Sequence, residues 1–167
     1  MPKYTINTKL FGKIKADTED GMCEYYDITL GGRDMNTSLM IFEDTLNDDT
    51  LKIVSDLIEH VPEMYEKGKS ELMKKRDSDA TVKFFIEWHL DELQEEVLEI
   101  FDVSSVKEIT SGIFIDELYL RNITIAETKD GWIDCTMDFS LPDEYSDELL
   151  EVRFDEKYEI YDISHES

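Results

Sequence analysis

Between Asp77 and Phe101 the chain reads DSDATVKFFIEWHLDELQEEVLEIF, and no other stretch limits the fold as strongly. Val82, Ile86, Leu93, Val97 and Ile100 recur at steps of three, four or seven, the spacing of one helical face. Ser78 or Asp79 can accept from the free N–H groups of a first turn. The spacing predicts a long central helix near 79–101, about six turns and beyond the usual globular length. His89 falls with the aliphatic stripe, whereas Phe84, Trp88, Asp91 and Glu95 fall on the other side, flanked by Glu87, Glu92 and Glu99. Two faces of this helix therefore need a neighbour. The aliphatic one belongs in a core. The aromatic and acidic one has two readings. Phe84 and Trp88 pack under a sheet with the acids as a solvated rim, or they form an exposed anchor, ringed by carboxylates, that receives a basic partner. A tryptophan inside a polar ring is a common composition for a binding hot spot.

The flanking segments alternate as strands do. Lys9–Lys15 reads as a short strand, Asp17–Gly21 as a turn, and Cys23–Leu30 and Arg33–Phe42 as a hairpin closed by Gly31-Gly32. Cys23, Tyr25, Asp27 and Thr29 share one face of the first hairpin strand. Thr50–His60 carries Leu51, Val54, Leu57, Ile58 and Val61 on a helical stripe, with Asp48 or Asp49 as cap. A second helix runs from about Pro62 to Lys75; Gly68 weakens it by up to about 1 kcal/mol relative to Ala. Residues 102–111 read as a loop or a short helix. After that the pattern is β: one or two strands over Ile113–Ala126, a turn at Lys129-Asp130-Gly131, a strand over Trp132–Phe139, and a last hairpin of Leu149–Phe154 and Tyr158–Ile163.

These elements predict one α+β domain over residues 1–167, with antiparallel sheet and about three helices on one face. A β meander occupies about 9–42, helices about 50–101, and further strands about 113–164. An apolar share of 41% is enough for a core, and no run of eighteen apolar residues offers a membrane span. The first residues lack the apolar region of a secretory signal, so the expected location is cytoplasmic. Cys23 and Cys135 then read as reduced core thiols.

Charge narrows the choice of partner. The formal net charge is −24 and it is unevenly spread. Residues 1–76 carry 15 acids and 11 bases, whereas residues 77–167 carry 26 acids and 6 bases. A half this negative repels nucleic-acid phosphates and speeds encounter with basic proteins. The bland alternative is solubility alone. Lys74, Lys75 and Arg76 form a basic cluster at the negative pole of the second helix, where they read as a cap.

Motifs for chemistry are missing. His60, His89, His165, Cys23 and Cys135 stand singly, so no metal site and no cofactor is expected. His89 and Glu92 have the i, i+3 spacing of a carboxylate–histidine pair, yet lack a matched second pair. Neither a phosphate loop nor a nucleophile elbow occurs. No catalytic residue is assigned. An enzyme would need a pocket formed around His89 and Glu92 by the fold alone.

Phe11-Gly12-Lys13-Ile14, the run FIEWHLDEL (Phe85–Leu93), SDELLEVRFDE (Ser146–Glu156) and the closing EIYDISHES (Glu159–Ser167) resemble a bacterial family known as domain of unknown function 2004. That resemblance spans nearly the whole chain and brings no established enzymatic activity with it. The expected function is protein binding, in the manner of an immunity protein covering a basic toxin, with Phe84, Trp88, Asp91 and Glu95 as the contact residues. Nucleic acid and membrane are not expected partners. A homodimer that buries the Trp88 face at a two-fold axis competes with this expectation.

Overall fold

A computed structural model describes residues 3–17 and 21–167. Two strands, β1 (Lys3–Thr8) and β2 (Gly12–Asp17), form a separate antiparallel pair with Ile6 opposite Ile14. The sequence pattern predicts a single strand over Lys9–Lys15. The Thr8 hydroxyl prevents it, donating to Gly12 O at 3.0 Å and accepting from Phe11 N at 2.9 Å, which turns the chain there. The expected turn at Asp17–Gly21 lies largely outside the described residues.

Strands β3 (Met22–Leu30) and β4 (Arg33–Ile41) form the predicted hairpin. Gly31 and Gly32 both take positive φ, 59° and 78°, as a two-residue turn between twisted strands requires. The Gly31 position has a second constraint, because a Cβ there would meet the Tyr65 hydroxyl at 2.4 Å.

Helices follow in series: α1 (Asp48–Glu59), α2 (Val61–Lys75), α3 (Ala80–Glu92), α4 (Glu96–Phe101) and α5 (Ser111–Glu117). Asn47, rather than Asp48 or Asp49, caps α1, and Thr50 completes the reciprocal capping pair. Asp79 caps α3 through bonds to the amides of Thr81 and Val82. Strands β5 (Tyr119–Glu127), β6 (Ile133–Ser140), β7 (Leu149–Phe154) and β8 (Ile160–Glu166) then run as a meander.

The large sheet has the order β3-β4-β5-β6-β7-β8. The α+β class is as the sequence predicts, but the sheet is mixed, since β4 pairs with β5 in parallel. The reason is topological. Parallel neighbours need a crossover connection, and all five helices lie in that one connection. The core sits between helices and sheet. Met137, Phe139, Val152 and Phe154 on the inner face are fully buried, as are Val54, Leu57, Ile58 and Met64 on the helices. Gly68 lets α2 approach the sheet: a Cβ there would stand 3.4 Å from the rings of Phe139 and Phe154.

Three local expectations change. The long helix near 79–101 is two helices, broken at Gln94, which takes a left-handed φ of 47°. A straight helix of that length would carry its last turns about 30 Å from its start. The break instead folds α4 back, so that Val97 is fully buried and Phe101 stacks on Phe114 at 5.4 Å. Residues 111–117 are helical rather than strand, with Thr110 as the cap. Both cysteines are free thiols, but only Cys135 belongs to the core; Cys23 lies on the outer, exposed face of β3.

Candidate functional site at the junction of helix α3 and strand β8

The predicted aromatic face divides. Phe84 is 55% exposed, whereas Trp88 is half-buried, edge-on to His89 at 4.9 Å and to His165 at 6.2 Å. Asp91 is exposed near the end of α3. Glu95 is exposed too, but follows the break at Gln94, so it does not continue the stripe of Phe84, Trp88 and Asp91. The four residues are thus an exposed phenyl ring, a half-buried indole, an acid on the same helix and an acid beyond its end.

Below this face lies a histidine pair. His89 is completely buried. Its Nδ1 lies 2.8 Å from the carbonyl oxygen of Phe85, which can only accept, so Nδ1 carries the hydrogen. Nε2 is therefore the acceptor, taking the hydroxyl hydrogen of Ser146 at 2.7 Å. Burial pushes the His89 pKa down, with the neighbouring His165 adding to the effect. His89 is a neutral clamp between α3 and the connection before β7. Glu92, by contrast, is exposed. The pair considered for catalysis is not assembled, and His89 has no free nitrogen for a substrate. His165 on β8 meets Glu148 at 2.5 Å and is surrounded by Phe84, Phe85 and Trp88 at 5.6, 5.1 and 6.2 Å.

Between α3 and β8 runs an open groove of about 500 Å³, lined by Ala80, Thr81, Phe84, Ile163, Ser164 and His165. β8 is the last strand of the sheet, and outside the sheet ladder no described backbone hydrogen bond uses one of its groups. Its side chains alternate. Ile163 and His165 lie opposite the inward residues Val152 and Leu150, while Asp162 and Ser164 lie opposite Arg153 and Glu151 on the outer face. The hydroxyl oxygen of Ser164 is buried and bonded to no described atom.

The outer face holds a second cluster that periodicity did not reveal. Asp138 faces Glu151 across β6 and β7. Arg153 holds Glu151 at 2.5 Å through both Nε and Nη2, and its Nη1 lies 3.9 Å from Asp134. Tyr161 donates its hydroxyl to Asp134. Asn122 reaches Asp138 at 3.4 Å. Burial, reinforced by the charge on Glu151, pushes Asp138 up to about 6. The alternation of Trp132–Phe139 places Asp134 and Asp138 on a polar face, yet both are buried there by their cross-strand neighbours.

A second concavity opens where β4 and β5 part, lined by Asp27, Asp34, Arg33 and Arg121 among others. Arg33 stacks over Tyr119 at 4.2 Å, and Arg121 donates to the carbonyls of Leu141 and Ser146. Two acids offset two bases, so no ligand charge is selected. Among the described residues no group of three or more His, Cys, Asp and Glu side chains is placed to hold a metal ion. None of their helices is long and apolar enough to cross a membrane.

No family model, curated protein or solved structure matches the chain.

Proposed function

We propose that this chain is a cytoplasmic protein-binding domain that docks a basic partner at the junction of α3 and β8, with neutralisation of that partner, as immunity proteins perform it, as the specific form. The exposure of Phe84 beside an open groove carries the reading. Tyr25 and Phe42 are more exposed than Phe84, but Phe84 lines this groove, where an aromatic ring can anchor a partner. Its surroundings select the charge of that partner. Together α3 and β8 carry five acids (Glu87, Asp91, Glu92, Asp162 and Glu166) and one base, Lys83. Acids at the rim mainly raise the association rate, while the anchor contributes most of the affinity.

The test uses Phe84 and Glu87, both exposed, so their replacement leaves the core intact. Partners are captured from a native lysate at low salt with wild type and with a Phe84→Ser, Glu87→Lys variant that melts like wild type. The expected result is a protein of high isoelectric point retained by wild type, lost by the variant, and bound more weakly as salt rises. Equal capture by both proteins, or an affinity independent of salt, overturns the reading.

A further inference from the structure

We propose that the sheet is extended at β8: an extended segment of a basic partner, alternating Lys or Arg with apolar residues, adds as a further strand and sets its apolar side chains in the α3–β8 groove. This rests on the basic-partner reading and specifies how the partner is held. Three observations converge on it. First, β8 ends the sheet, so along residues 162–166, past the bulge at Tyr161, alternate N–H and C=O groups point away from β7 and are free to pair. The opposite edge strand, β3, has β2 packed beside it and Phe11 stacked on Tyr26 at 5.0 Å. Second, the inner side of the β8 edge opens on the groove formed with Ala80 and Phe84, where every second residue of an added strand would find apolar contact. Third, the outer side presents Asp162 and Glu166, both exposed, at a spacing of four residues. Residues of the added strand on that side lie opposite or diagonal to these carboxylates, and opposite charges across strands attract.

Charge opposes a second copy of this chain in the register centred on Ser164. Two β8 strands paired antiparallel about Ser164 would set Asp162 against Glu166 twice. Like charges directly opposite destabilise a strand pair.

The probe is a labelled peptide of four lysines alternating with three valines, blocked at both ends, titrated at low salt. Two further versions carry N-methyl groups, one on the valine amides and one on the lysine amides. Strand addition uses the amides of only one set. Binding of the parent peptide is expected, with a loss of about tenfold or more in one methylated version and slowed amide exchange along 160–166. Asp162→Lys combined with Glu166→Lys, and separately Phe84→Ser, are each expected to weaken the parent peptide by roughly fivefold or more. Equal binding of all three peptides, with loss in the charge-reversed variant, overturns strand addition and leaves the basic-partner reading standing. Protection mapped away from β8 also overturns strand addition. No binding of any peptide to wild type overturns both.

Discussion

Ser146 donates its hydroxyl hydrogen to Nε2 of His89 across 2.7 Å, and the same oxygen accepts from the amide of Glu148 at 3.1 Å. One side chain thereby fixes a buried imidazole and the chain entering β7. Ser146→Ala leaves Nε2 and the Glu148 amide without that partner, and the expected cost is about 1–3 kcal/mol. The pH dependence carries a sign. The folded pKa of His89 lies below its unfolded value, so the unfolded chain takes up a proton first as pH falls. This histidine therefore removes stability progressively as pH falls below the ordinary histidine value. Urea unfolding of wild type and of His89→Gln across that range checks it: the variant loses this part of the acid sensitivity. An acid limb unchanged by His89→Gln would contradict the buried neutral imidazole.

Asp138 acts in the opposite direction. Its pKa rises from 3.8 to about 6 on folding, through burial first and the Glu151 charge second. The folded state therefore holds the proton more tightly between those values, and stability from this group falls as pH rises from about 4 to about 6. Above that range the full penalty remains. Asp138→Asn keeps the shape and removes the charge. It is expected to stabilise the protein at neutral pH by about 1–3 kcal/mol, a rise of several degrees in Tm, and to have little effect near pH 4. Thermal melts at both pH values decide it. An equal shift at both would assign the effect to packing rather than to the carboxyl pair.

How far the sequence revealed this molecule depends on which force set each part. Alternation in Cys23–Leu30 and Trp132–Phe139 and the helical stripe of Thr50–His60 are local records of burial, and those elements appear where the pattern puts them. The parallel β4–β5 pair was not legible, because it follows from where the helical crossover returns to the sheet. Phe84 and Trp88 were legible as one face of a helix, but their different exposure depends on β8, more than seventy residues later, whose His165 packs against both. The Asp138–Glu151 pair was hidden for the same reason: of two polar residues with ordinary outward parity, Asp138 becomes buried and Glu151 half-buried only when β7 is placed beside β6.

The break at Gln94 is the clearest disagreement between local preference and packing. LQEEVL contains no glycine or proline, and its apolar spacing runs straight through the break. Gln94 takes a left-handed backbone that costs a non-glycine residue about 1–2 kcal/mol, offset by burial of Val97 and stacking of Phe101. Gln94→Gly relieves that strain and is expected to stabilise by about 0.5 kcal/mol after its own entropic cost. In a continuous helix the same change would destabilise by about 1 kcal/mol. The sign of the shift in urea midpoint therefore reports which backbone is present.

Gly68 inverts the usual argument about glycine in helices. Propensity alone says that any side chain there helps α2, with alanine gaining about 1 kcal/mol. The structure opposes it, because a Cβ would already stand 3.4 Å from Phe139 and Phe154, and both rings are fully buried with little room to move. Gly68→Ala is expected to be close to neutral, the helical gain offset by crowding. Gly68→Val adds two methyl groups against the same rings and is expected to cost about 1–3 kcal/mol. Pairing it with Phe154→Leu tests the mechanism. If crowding is the cause, the double variant is more stable than the sum of the two single changes predicts, since each relieves the other. Simple additivity would mean that α2 does not approach the sheet through this glycine.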